Sequence, residues 1–348
     1  MKALVWHGGS LLALEDVPEP QPGPGEVVVQ VVLAGICGSD LHAYRGHDGV
    51  RTPPLVLGHE AVARTPHGSR AAIFPLISCG ACHACRRDER SLCERRVLMG
   101  LNRPGVFAER VAVPEGLLVP VPDDLADQIA VLAEPLANAV AVIRRAQISA
   151  GRSVLVIGCG SIGLLVVHAA AQSGARVIAA DPVPERRRQA SLLGADQVLA
   201  SAEDAAAGSV DLAIDAVGAQ QTWTAGMRAV RAGGSVVIVG LAQANGSMPV
   251  GDLVRRGISI RGHYAYERGD FDAAISLLAT APPQFDGLPI LPLGQGAEAF
   301  RRMTSDLDSA VKVLLRPGPE AELLPEASSA LATAVPQPDQ PASRSPIQ

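Results

Sequence analysis

Two textures divide the chain. From Lys2 to about Leu118, short apolar runs such as Ala3-Leu4-Val5-Trp6 and Val27 to Leu33 are broken by clusters such as Pro20-Gln21-Pro22-Gly23-Pro24-Gly25. Runs of that length bounded by turn formers predict strands, here a compact barrel-like β domain with functional loops. From Leu136 to Ala146 the apolar positions recur at helical spacing, and Ser153 to Ile157 is a continuous apolar strand feeding a glycine turn. Strand and helix patterns then alternate through Val154 to Ile157, Gly163 to Gln172, Arg176 to Ala180, Glu185 to Leu193, Leu212 to Ala216 and Val236 to Gly240. Such alternation predicts an α/β architecture with a doubly wound parallel sheet. Phe271 to Leu278 predicts a helix, Ala310 to Leu315 a strand returning to the first domain, and Ser259 to Gly262 an edge strand available for pairing between subunits. From Pro317 to Gln348 the chain is rich in Pro, Ala, Ser and Gln, which predicts a disordered tail, with a partner-binding peptide as its functional alternative.

Composition narrows the class. At 348 residues and 48% hydrophobic, the chain is long enough for two buried cores. A net charge of −5, with nearly all cations arginine, gives no basic stripe to draw it to nucleic acid or an anionic membrane. Small neutral or weakly charged ligands are expected instead. No apolar run approaches the roughly 20 residues that cross a bilayer, and the N-terminus enters a strand with no signal-peptide architecture, so the expected compartment is the cytoplasm. There, clustered thiols point to metal rather than to disulfides. Cys159 stands outside the clusters as a small buried filler.

Three motifs carry chemistry. Cys79, Cys82, Cys85 and Cys93 follow a C-x-x-C-x-x-C spacing with a last cysteine seven residues on. Four thiolates close a zinc tetrahedron and leave no position for substrate, so this site is structural; a nucleic-acid-binding zinc ribbon is disfavoured by the mixed charges of Arg86-Arg87-Asp88-Glu89-Arg90. Gly158-Cys159-Gly160-Ser161-Ile162-Gly163 is G-x-G-x-x-G between a buried strand and a helix. There the glycines permit a tight turn, backbone approach to a pyrophosphate, and close packing, while the helix N-terminus favours negative charge. Asp181 ends the next strand, where its carboxylate accepts ribose hydroxyls and repels a phosphate; this favours NAD over NADP, with Arg186, Arg187 and Arg188 close behind to soften the preference. Finally, Cys37 offers a thiolate and His59 an imidazole to a catalytic zinc, which needs three protein ligands plus water, and Glu60 or Glu134 completes the set. Singly, Cys37 reads as a core cysteine and His59 as a satisfied side chain; beside the other two motifs, the metal reading prevails.

In order along the chain, Gly35-x-Cys37-Gly38-Ser39-Asp40-x-His42, Gly58-His59-Glu60, the four-cysteine loop, Glu134-Pro135 and the glycine turn resemble the zinc-dependent medium-chain alcohol dehydrogenases, over about Met1 to Arg316. Glu134-Pro135-Leu136 in place of a cysteine is similar to the sorbitol, polyol and butanediol dehydrogenase branch. The resemblance implies a GroES-like catalytic domain from 1–136 and 281–316, a Rossmann coenzyme domain from 137–280 and an active site in the cleft between them. It implies Cys37, His59 and one glutamate on the catalytic zinc, with Asp40 orienting His59. It further implies Ser39 contacting the substrate oxygen, His42 relaying the proton to solvent and Tyr44 lining the pocket. Val217, Val239 and Lys312 match positions at the coenzyme, Lys312 reaching the pyrophosphate. One departure stands out. Between Ala61 and Ser78 the usual Val/Gly-rich hairpin is missing, so Gly68 to Ile73 re-enters the strand directly beside the substrate mouth.

The implied reaction passes a hydride from a polyol or secondary alcohol to NAD, with one catalytic and one structural zinc, in a homodimer or homotetramer. An amino-alcohol or hydroxy-acid dehydrogenase of the threonine or aldonate type is the alternative enzyme reading, and a non-catalytic zinc- and nucleotide-binding sensor is the alternative from another class.

Overall fold

The strand Glu26–Gly35 is the spine of the N-terminal half of the computed structural model, which describes residues 1–47, 49–305 and 310–318. Its first half pairs with Arg110–Pro114, from Glu26 opposite Pro114 to Gln30 opposite Arg110. Its second half pairs on one edge with Leu314–Arg316 and on the other with Glu60–Arg64. A bulge between Val31 and Leu33 re-aims the strand. As a result Val29, Val31, Ala34 and Ile36 enter one core, whereas Leu33 joins the other, and Gly35 lies opposite Glu60. Arg70–Ile73, Leu118–Pro120 and Ile290–Pro292 complete this mostly antiparallel sheet of seven strands among the described residues. The expected return of the chain to the first sheet is seen as Leu314–Arg316.

The direct re-entry after Gly68 is also seen. Glu60–Arg64 turns into Arg70–Ile73 through Thr65 to Ser69, closed by the Thr65 N–H on the Ser69 carbonyl at 2.9 Å.

Residues 153–262 supply a parallel sheet of six strands among the described residues. In spatial order they are Gln197–Leu199, Arg176–Ala180, Ser153–Ile157, Val210–Asp215, Val230–Ile238 and Ser259–Gly262. In sequence order this is 3-2-1-4-5-6, the doubly wound order of dinucleotide-binding sheets. Val154 to Ile157 are all at most 3% exposed, which is why that strand reads as an unbroken apolar run rather than an alternation. The helix Ala133–Arg145 links the halves, packing its apolar face against Ser161–Gln172 and Arg268–Thr280. It starts three residues before the pattern predicts, which places Glu134 in its first turn. No helix among the described residues is long and apolar enough to cross a membrane. The tail expectation, from 319 onward, falls outside the described residues.

Candidate functional site

Cys37 is the N-cap of the helix Gly38–Tyr44, and Asp40 reaches back to accept its backbone N–H at 3.1 Å. His59 precedes the strand Glu60–Arg64, whose register carries Glu60 to Gly35. A Cβ at Gly35 would lie 2.2 Å from Glu60 Oε2, so glycine is what makes room for that carboxylate. Together these elements bring ligand atoms of Cys37, His59 and Glu60 within 4.8 Å of one another. His59 Nδ1 is buried without a hydrogen-bond partner and stands 3.6 Å from Asp40 Oδ1. Burial opposes charge on His59, yet the Asp40 carboxylate and Cys37 outweigh it and raise its pKa to about 10. Glu134 is beside this trio rather than within it. Its Oε1 accepts from the Tyr266 hydroxyl at 2.7 Å, and burial pushes its pKa up to about 7, against the attraction of His59. A thiol, an imidazole and a carboxylate brought this close, with Glu134 beside them, form a donor set whose chemistry fits a catalytic zinc.

Two buried cations balance these anions. The Lys312 ammonium sits on Glu60 (2.6 Å to Oε1) and on the Ile36 carbonyl at 3.1 Å. Arg51 donates to the Gly100 carbonyl at 2.8 Å and, at 3.3 Å each, to the Ser39 carbonyl, Ser39 Oγ and Asp40 Oδ1.

The second cluster is all sulfur. Cys79, Cys82, Cys85 and Cys93 have sulfurs within 4.8 Å of one another, with Cys82 and Cys85 at 3.5 Å and Cys79 and Cys85 at 3.9 Å. Four sulfurs at about 2.3 Å from one tetrahedral zinc are roughly 3.8 Å apart, so the spacing fits the ion. The thiols also divide electrically. Backbone N–H groups of Ala81 and Cys82 lower Cys79 to about 5, while burial and the neighbouring thiols raise Cys85 to about 11. A compact set that sheds its first proton readily and resists shedding more is one that a divalent cation completes.

At the carboxyl ends of the parallel strands the glycine turn lies as its motif requires. Gly158 has φ +88°, and a Cβ on Gly163 would fall 1.8 Å from the Gly158 carbonyl oxygen. At Gly160 nothing stands within 4 Å of where a Cβ would be, leaving bare backbone at the N-terminus of Ser161–Gln172, with Ser161 and Ile162 in its first turn. Asp181 faces this turn: Oδ2 accepts the Cys159 N–H at 2.8 Å and Oδ1 the Val183 N–H at 2.9 Å. Arg187 donates to the Asp181 and Pro182 carbonyls, and Arg188 pairs with Glu185 and Asp286; Arg186 is on the same helix, Pro184–Leu192. Val217 packs over Gly158, and the Val239 N–H donates to the Asp215 carbonyl at 2.8 Å, so both border the crevice where an open α/β sheet takes its ligand.

Residues 23–123 match the alcohol dehydrogenase GroES-like domain, and residues 161–280 match the zinc-binding dehydrogenase domain. L-threonine 3-dehydrogenase of Rhizobium johnstonii is 31% identical over 325 residues, covering 86% of this chain and 93% of its own. The chain belongs to the zinc-dependent medium-chain alcohol dehydrogenase family. Its fold, a GroES-like domain with a Rossmann-type parallel sheet, is shared by solved members of that family. The 2R,3R-butanediol dehydrogenase of Bacillus subtilis superposes with a TM-score of 0.83 at 30% identity, over 91% of this chain and 99% of that one. A Sinorhizobium meliloti 1021 protein assigned as a zinc-binding dehydrogenase and bound to NADP gives 0.84 at 30%, over 91% and 99%.

In this dehydrogenase one of the expected roles is corrected. Lys312 does not reach the glycine turn: its ammonium is buried, 2% exposed, on Glu60, whose carboxylate draws it in. Tyr44 packs its ring against Phe300 in the first core, centroids 5.5 Å apart. Ser39 and His42, three residues apart on the helix Gly38–Tyr44, share a face. Two neighbours of the site escape sequence reasoning. Arg51 lies in a Pro-flanked loop with no pattern to mark it, whereas Tyr266 left a faint signal, since the chain has three tyrosines and two of them fall in Tyr264-Ala265-Tyr266.

Proposed function

We propose that the enzyme oxidises a neutral secondary alcohol, a diol or polyol, to the ketone with NAD. The observation that carries the choice of a neutral substrate is that Lys312 and Arg51, the cations beside the centre, are both held by internal carboxylates and carbonyls. A substrate carboxylate would have to displace one of them. Cys37, His59 and Glu60 would hold a zinc ion, which would supply the Lewis acidity that makes an alcohol proton labile near neutral pH, and a bound NAD would supply the hydride acceptor. Ser39 takes the hydroxyl proton and hands it toward His42 on the same helix face. Asp40 fixes the ring of His59, and Arg51 fixes Asp40 and Ser39. Gly158, Gly160, Ser161, Ile162 and Gly163 receive the pyrophosphate. Asp181 takes the adenosine ribose, Arg186 modulates that contact, and Val217 and Val239 flank the nicotinamide.

The catalytic part is assigned to 1–136 and 281–316 and the coenzyme part to 137–280, acting in the cytoplasm as a homodimer or homotetramer. The second reading, oxidation of a 2-amino-3-hydroxy acid, is supported by the L-threonine 3-dehydrogenases among the relatives. A Cys37→Ser or His59→Ala protein that still folds and binds NAD loses its alcohol-dependent NADH formation; retention of activity in either would sink the assignment.

A further inference from the structure

A single short segment reaches the immediate neighbours of both candidate metal sites. Residues 263–267 leave the sheet-edge strand Ser259–Gly262 and enter the helix Arg268–Thr280. At one end, Arg96 donates to the Tyr264 hydroxyl at 3.3 Å and lies 4.8 Å from the centroid of its ring. At the other, Glu267 accepts the Arg90 N–H at 3.0 Å, the Ser91 N–H at 3.1 Å and the Ser91 hydroxyl at 2.6 Å, with the Arg145 guanidinium at 3.5 Å. Arg90, Ser91 and Arg96 flank Cys93, and Arg96 also donates to the Cys93 carbonyl at 3.1 Å. Between these grips Ala265 is held at φ +46°, a left-handed conformation that a non-glycine residue keeps only where the surroundings impose it. The turn sends Tyr266 the other way, inward. It is 3% exposed, packed among Phe74 and Phe271, and its hydroxyl donates to Glu134 Oε1.

We propose that Tyr266 is a positioning residue that aims the Glu134 carboxylate at the catalytic centre, and that the four-cysteine loop, by gripping Tyr264 and Glu267, sets where Tyr266 stands. The structural cluster thereby acts on the catalytic one. This rests on reading Cys37, His59 and Glu60 as the catalytic ligands with Glu134 beside them. Groups that orient a metal's surroundings change affinity or activity by about 10–100-fold when removed.

The test uses the full chain with Co2+ in place of zinc, read by its visible absorption bands, together with chelator competition, kcat and KM. Tyr266→Phe is expected to shift the bands of the catalytic ion, speed its loss to chelator about tenfold and lower kcat more than it raises KM, while leaving the four-cysteine bands as in the parent. Glu267→Ala gives the same signature more weakly, Glu267→Gln restores most of it, and Glu267→Ala adds little on top of Tyr266→Phe. Should Tyr266→Phe not fold, the Glu267 pair carries the test through the cobalt spectrum. Parental catalytic-site bands and chelator rates in both Tyr266→Phe and Glu267→Ala, or fully additive effects, would overturn the proposal. Because the spectrum needs no substrate, a protein silent on every alcohol whose catalytic bands still respond refutes the proposed reaction and leaves the positioning role standing.

Discussion

Asp181 accepts the Cys159 N–H in its carboxylate, yet the two residues show how differently burial acts on two side chains. The Asp181 carboxylate is fixed beside the glycine turn by the Cys159 and Val183 N–H groups, the position that the proposed coenzyme reading gives to the adenosine ribose. Asp181→Ser is therefore expected to raise the NADP-to-NAD ratio of kcat/KM by about tenfold or more, the worth of one charge contact; an unchanged ratio in parallel assays would show that the carboxylate does not select the coenzyme. Cys159 is fully buried, and burial with the Asp181 charge pushes its thiol up to about 12. A thiolate is the reactive form, so Cys159 stays unlabelled by iodoacetamide in the native protein at neutral pH, as peptide mass mapping would show. At this scale the sequence was informative where spacing carries chemistry, at the four cysteines and the glycine turn. It misled at Lys312, because a position shared with a family says which residue stands there and not which anion beside it takes the charge.

Elements place the site, and one helix contact bears more of that placement than its sequence suggests. Asp270 is 3% exposed; it caps its own helix by accepting the Glu267 N–H at 2.9 Å and takes both arms of Arg144 from Ala133–Arg145 at 2.7 and 2.9 Å. Removing it leaves a cap and a guanidinium unpaired, so Asp270→Ala is expected to cost about 1–3 kcal/mol in urea unfolding. Burial works against the charged form of Asp270, but Arg144 and the Glu267 N–H prevail and hold its pKa below the ordinary 3.8. Its contribution is thus complete above that value and fades as pH falls through the depressed one, so the penalty of Asp270→Asn narrows in acid; a penalty that grows on acidification would contradict this. The four inner strands of the parallel sheet were legible because burial on both faces writes an apolar run, whereas the edge strand Gln197–Leu199, which is not buried, was not. Glu134 was legible as a ligand candidate but not as a residue of a helix's first turn, since the pattern shows its apolar stripe only from Leu136. The pairing of Gly35 with Glu60 was not legible at all, because a bulge, which leaves no compositional mark, sets that register.

For the whole molecule, the two candidate metal sites and the glycine turn belong to one dehydrogenase chain, and metal content tests the proposed division of labour. Stepwise removal with a chelator is expected to abolish activity with the first zinc lost and to lower thermal stability chiefly with the second, because four thiolates hold their ion more completely than a set with an open position. Activity that survives loss of the more labile ion would reverse the two assignments. The most direct measurement of the central claim is NADH formation, followed by absorbance, by the zinc-replete protein offered diols, polyols, simple secondary alcohols, threonine and sugar acids, with NAD and NADP in parallel. The account predicts turnover of a neutral diol or polyol with NAD, lost on chelation and restored by zinc. Turnover confined to threonine or a sugar acid, or turnover indifferent to zinc, would contradict it.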